Sequence, residues 1–224
     1  EIDSALSFNG QPEKTFIQDH FSGMYFLKKE NIWLDYAIQN FSRVTDEYKR
    51  AILMASLFQA CLAKRPFNLF HRENLYIRTA KVDRTFGNKT TWETPFPVLV
   101  KRYASQYNEA VFSNNRRNKV VGGYHALDVT RKSDLVYLDP PYFSRKSTQG
   151  TNYLGFYHFL EGLADYQNWE TRIDPVTKVI KEIGYGQLES FTRKSKIIET
   201  FEKLIEKFND RTIVLSYQSD GLPS

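Results

Sequence analysis

Cysteine is nearly absent from this chain of 224 residues, with Cys61 its single thiol. An intrachain disulfide framework is therefore excluded, and the composition fits a reducing compartment. Cys61 lies in an apolar stretch with helical spacing, which predicts a buried, inert thiol rather than a nucleophile. Long apolar runs are lacking as well. The most apolar stretch, residues 51–63, is too short and too interrupted to span a membrane. The four histidines, His20, His71, His125 and His158, show no metal-ligand spacing, so no metal centre is expected. The opening residues lack a secretory-signal pattern, and a cytoplasmic protein is expected. The chain begins at Glu1 and runs directly into Ser4-Ala5-Leu6-Ser7, which reads as the interior of a longer protein. Aromatic residues, by contrast, are plentiful, with 14 Tyr and 17 Phe. They serve cores and base stacking alike. With 25% charged residues this is a globular composition, large enough for a real core.

Positive charge is concentrated in the middle of the chain. Residues 61–120 hold 12 basic and 4 acidic residues, a net +8 against +5 for the whole chain. Such a segment is the expected footprint of a phosphate-binding surface, with a solvated charged face as the plainer reading. Lys64, Arg65, Asn68, His71, Arg72, Arg84 and Lys89 are its candidate nucleic-acid contacts.

Residues 46–63 read as a helix opened by Thr45-Asp46 and closed by Pro66. A short helix is expected over residues 98–112 and strands over 120–129 and 134–138. Gly87-Asn88 signals a turn, and residues 143–156 have the composition of a mobile loop. Residues 193–208 carry Ile197, Ile198, Phe201, Leu204, Ile205 and Phe208 at the helical period. Residues 211–217 read as a buried-type strand. Strand, loop, helix and strand in this order predict an α/β layered core.

The most informative residues are Asp139-Pro140-Pro141-Tyr142, directly after the apolar run Leu135-Val136-Tyr137-Leu138. Ligands of open α/β sheets bind beyond the carboxyl ends of strands. Asp139 can accept from an N–H, the prolines stiffen the backbone, and Tyr142 offers a flat face. These side chains suit a planar base with an exocyclic amine.

With that motif the chain resembles the Dam-like DNA methyltransferases that modify the exocyclic amine of adenine. The resemblance implies a Rossmann-like methyltransferase core, incomplete here, with an inserted and largely helical target-recognition domain. Residues 1–45 would continue from a cofactor-binding segment, 46–117 form the recognition insert, and 118–224 form the catalytic core. It further implies S-adenosyl-L-methionine as cofactor, with Asp128, Val129 and Asp139 near it, and Asp139, Pro140, Pro141 and Tyr142 as catalytic residues. Double-stranded DNA is the implied substrate, within a restriction–modification system. A cognate restriction enzyme or a complementary methyltransferase chain would be a further partner. Tyr153 and His158 fall in the family's variable loop near the target base. The family's Gly-rich loop, of pattern Phe-x-Gly-x-Gly, has no counterpart: Phe21-Ser22-Gly23-Met24 is a faint echo that reads as a surface turn.

In the implied mechanism an adenine is flipped from the duplex. Tyr142 stacks on it, and the Asp139 carboxylate and the Pro140 carbonyl accept its amine hydrogens. Related motifs that act on RNA bases or on protein glutamine usually carry Asn in place of the first Asp, so Asp139 favours adenine in DNA. The alternative is a non-catalytic DNA-binding remnant, or a split half whose partner chain supplies the cofactor loop.

Overall fold

The computed structural model describes residues 2–7, 11–83, 89–122, 124–147, 150–180 and 190–222. They divide into two compact units, one of residues 1–114 with 154–181, the other of 115–153 with 182–224. The chain passes to the second unit near residue 114, returns to the first over 154–181, and ends in the second.

The first unit is helical. Its helices are α1 (Ile2–Leu6), α2 (Phe16–His20), α3 (Lys28–Ser42), α4 (Glu47–Ala63), α5 (Leu75–Thr79), α6 (Lys89–Glu93), α7 (Phe96–Glu109), α8 (Tyr153–Ala164) and α9 (Trp169–Arg172). Asp46 caps α4, its carboxylate accepting from the Tyr48 and Lys49 amides at 3.0 and 3.1 Å. Pro97 sits in the first turn of α7, where its missing N–H costs nothing. Helix α4 packs on α7 through Leu53, Leu57, Ala60, Leu99, Val100 and Ala104, all buried. Cys61 is fully buried, as its setting predicted.

Eleven aromatic residues are buried in this core. Phe70 stacks on Phe159 with centroids 5.0 Å apart, and Trp33 stacks on Phe96 at 5.4 Å. Trp169 presses against α8 at Gly162, where an added Cβ would stand 1.9 Å from the indole, so only glycine fits. The turn at Ser22 and Gly23 is exposed, with Gly23 at φ +75°, while Phe21 beside it is buried. Asp35 is buried on α3. It accepts from the Ile17 and Gln18 amides at 2.9 and 3.1 Å and from the Tyr166 hydroxyl at 2.5 Å, tying α2 and the chain after α8 to one carboxylate.

In the second unit, β1 (Leu135–Leu138) and β2 (Thr212–Leu215) pair in parallel, Leu135 opposite Thr212 and Leu138 opposite Leu215. Helix α10 (Lys194–Lys207) covers one face through Ile197, Phe201 and Leu204, joined by Phe143, Phe191 and Phe208. Val136, Leu138 and Ile213 pack against this cluster, while Leu135 and Tyr137 point away and are exposed. The expectation of a buried-type second strand is thus corrected: only one face of the pair is covered among the described residues, and Thr212, Val214 and Leu215 are exposed. The expected strand over 120–129 is absent among its described residues. Ala126–Asp128 forms a 3-10 turn instead. The His125 ring accepts from the Leu127 amide at 3.1 Å, and the Lys207 ammonium takes the Leu127 carbonyl at 2.5 Å, so this carbonyl is bonded to α10.

Candidate active site

The ladder between the strands ends where proline begins. The Ser216 amide donates to the Leu138 carbonyl at 2.9 Å. Beyond it Pro140 and Pro141 have no N–H to extend the pairing. The chain leaves the sheet with Asp139 exposed and both prolines half-buried, and is anchored again by Phe143, which is fully buried.

The loops after the two strands then bind each other. Leu222 donates to the Phe143 carbonyl at 2.9 Å, Ser144 bridges Gly221 in antiparallel fashion, and Arg145 Nε donates to the Gly221 carbonyl at 3.2 Å. Tyr217 links them at the centre. Its hydroxyl accepts from the Phe143 amide at 3.0 Å and donates to the Leu222 carbonyl. Its ring stands edge-on to Tyr142 at 5.5 Å and to Phe201 at 5.2 Å. Burial pushes the Tyr217 phenol upward, so it stays a protonated donor at neutral pH.

Tyr142 is 38% exposed. Its hydroxyl lies 3.3 Å from Asp139 Oδ1 and 3.4 Å from Ser216 Oγ. Only Oδ1 is engaged by this contact, leaving Oδ2 as an acceptor for an incoming N–H. Thr151 Oγ1 donates to the Tyr142 carbonyl at 3.2 Å, and the Gly150 amide donates to the Thr192 carbonyl at 2.8 Å. Gly150 has to be small: a Cβ there would lie 2.9 Å from the Phe191 carbonyl and 3.1 Å from the Phe143 ring. Asp128 closes the 3-10 turn with an exposed side chain, and Val129 follows it, also exposed. Asp128 and Asp139 offer exposed carboxylates and Tyr142 an exposed aromatic ring.

The candidate DNA contacts divide by burial. Asn68, His71, Arg72, Lys89 and Tyr153 are exposed. His71 lies 4.9 Å from the Phe156 ring, and partial burial with Arg72 and Arg65 nearby holds its imidazole below the usual value. Arg84 lies outside the described residues. Lys64, Arg65 and His158 are corrected, since each is 1% exposed or less and occupied inside the fold. Lys64 pairs with Glu30 at 2.9 Å and donates to the Trp92 and Thr94 carbonyls, while Arg78 makes a two-pronged pair with the same carboxylate. Arg65 binds the Leu69 and Arg72 carbonyls, and His158 lies against Tyr25 Oη at 3.0 Å and the Phe70 carbonyl at 3.2 Å. A buried cation paired in this way is not available to a phosphate. Among the described residues no group of His, Cys, Asp and Glu could hold a metal ion, and no helix is long and apolar enough to cross a membrane. Ser216 and Tyr217 escaped the sequence reading as site residues. A tyrosine just past a second core strand was their only signal.

No family model matches the chain, and no solved structure does. Curated proteins do. The type II methyltransferase M2.HphI of Haemophilus parahaemolyticus is 27% identical over 225 residues, 97% of this chain and 61% of that protein. Modification methylase StsI of Streptococcus sanguinis is 31% identical over 116 residues, 51% of this chain and 16% of that protein. The type II methyltransferase M.FokI of Planomicrobium okeanokoites is 35% identical over 94 residues, 40% of this chain and 12% of that protein. The chain thus spans 61% or less of the length of each of these relatives. Two of these relatives are named type II methyltransferases and the third a modification methylase, and methyltransferase relatives imply a methyltransferase fold for the mixed helical and parallel-strand architecture described above.

Proposed function

We propose that this chain carries the catalytic loop of a site-specific DNA methyltransferase that modifies the exocyclic N6 of adenine. The observation that carries the reading is the Asp139–Tyr142 loop, with a carboxylate oxygen and an aromatic face presented beyond the end of a parallel strand. The Asp139 carboxylate and the Pro140 carbonyl accept the two amine hydrogens of an extruded base. That orients the nitrogen lone pair, and orientation is the main rate contribution such a site supplies. Tyr142 stacks on the base and holds its plane. S-adenosyl-L-methionine, with Asp128, Val129 and Asp139 as its contacts in this chain, supplies an electrophilic methyl group when bound. Arg72, Lys89 and His71 contact DNA phosphates, Asn68 and Tyr153 lie against the nucleic acid, and no metal takes part.

The test is transfer of labelled methyl groups from S-adenosyl-L-methionine to an adenine-containing duplex, followed by nucleoside analysis. Label in N6-methyladenine supports the reading. Label in a methylated cytosine would replace it with a different base specificity.

A further inference from the structure

The turn at residues 66–69 is built against the preference of its own sequence. Phe67 has φ 64° and ψ 8°, and Asn68 has φ 56°. Successive left-handed residues in a tight turn are what Gly, Asn or Asp supply. Asn68 suits its place. Phe67 does not, because its Cβ crowds the carbonyl in that conformation. Nor does packing repay the strain, since Phe67 is 75% exposed.

The turn is fixed from beneath. Arg65, 1% exposed, donates to the Leu69 carbonyl at 3.1 and 2.9 Å and also reaches the Arg72 carbonyl. Its guanidinium lies 4.6 Å from the centre of the Tyr25 ring and 5.3 Å from that of Phe70. The Asn68 amide closes the turn on the Arg65 carbonyl at 3.2 Å. Strained residues persist where their surroundings over-determine them, and they gather where a ligand is gripped. Close to Phe67 in the sequence, Asn68, His71 and Arg72 are exposed, and Glu73 is the acid that follows them. Tyr76, on the helix that contacts this turn, is exposed as well, and an exposed ring with polar and cationic side chains close in sequence is unlike the contiguous apolar patch of a protein–protein contact. It matches an aromatic platform beside phosphate-binding groups.

We infer that Phe67 is a stacking wedge for nucleic acid: its ring seats against DNA bases while Arg72 and His71 engage the backbone. This rests on the DNA reading above and adds a contact of a different kind. A phenyl ring offers bases no hydrogen bond, so its contribution is independent of sequence and nearly independent of salt. Phosphate contacts weaken as salt rises.

The experiment is fluorescence anisotropy of this chain with a labelled adenine-containing duplex from 50 to 200 mM salt, beside thermal unfolding of each variant. Phe67→Ala should weaken binding by roughly tenfold at every salt concentration, the loss of about one stacked base. Phe67→Tyr should restore it. Arg72→Ala should instead lower the salt slope by about 1. Phe67→Gly should unfold at a higher temperature than the parent, because glycine tolerates the left-handed turn, and should bind as weakly as Phe67→Ala. Unchanged affinity of Phe67→Ala in a chain that binds DNA overturns the wedge alone. A fall in unfolding temperature for Phe67→Gly overturns it too, by making the ring structural. A parent chain that binds no DNA overturns the DNA reading together with the wedge.

Discussion

Tyr217 engages two backbone groups with one hydroxyl, and both belong to the loops that frame Tyr142. Tyr217→Phe keeps the ring contacts with Tyr142 and Phe201 and removes both hydrogen bonds. The buried Phe143 amide then has no Tyr217 oxygen to donate to, which should cost about 1–3 kcal/mol in chemical denaturation. Methyl transfer should slow through kcat with KM for DNA little changed, since the loop is misplaced and the proposed DNA-contacting side chains are not touched. A KM effect alone would show that Tyr217 does not position the loop. The sequence displayed Leu215-Ser216-Tyr217 in plain view. It could not display that a hydroxyl 74 residues from Phe143 returns to that amide.

At the scale of elements, helices were the most legible part. Helices α4 and α10 lie within a residue or two of their apolar periods, and Asp46 caps α4 as the Thr-Asp pair suggested. Helix α7 begins two residues earlier than read, because a proline in the first turn does not interrupt a helix. Residues 120–129 misled, since a β-branched run becomes a strand only where another strand pairs with it. Lys64 and Arg65 misled for a related reason. Nothing in their neighbourhood reveals that Glu30, on another helix, takes Lys64. Arg78 and Lys64 hold the Glu30 carboxyl below its usual value against the opposing effect of burial. Glu30→Ala would leave two cations buried without their partner, at a cost of about 3–5 kcal/mol in unfolding free energy. A loss under 1 kcal/mol would show that the network is dispensable. The Glu30 contribution is present above the ordinary carboxylate pKa and is lost as pH falls through the lower folded value.

For the whole molecule the basic middle segment has to be counted again from the surface. Of its candidate contacts, Lys64 and Arg65 are inside and Arg72 and Lys89 are outside. Lys64→Met should therefore leave the salt slope of DNA binding unchanged while altering stability, the reverse of Arg72→Ala. Stability should also carry a mark of His158. Burial, and secondarily the Arg65 charge, hold its imidazole at about 4 against the Phe70 carbonyl, which favours the protonated form. An unfolded histidine titrates near 6.5. Between these values the unfolded chain binds more protons, so stability should fall as pH drops through the window, by on the order of 3 kcal/mol. Denaturation at pH 7 and pH 4.5 reads this directly, and a His158→Gln variant should lose most of that slope.

The measurement that bears most directly on the central claim is single-turnover methyl transfer to an adenine-containing duplex by the parent chain and by Asp139→Ala, both saturated with S-adenosyl-L-methionine. In the proposed reading Asp139 holds the reacting amine, so its removal should slow transfer by roughly 10²–10³-fold, the scale seen when one preorganised polar contact to a transition state is deleted. DNA binding should persist, because Asp139 is not among the proposed phosphate contacts. Transfer by Asp139→Ala within a few-fold of the parent rate would contradict the account.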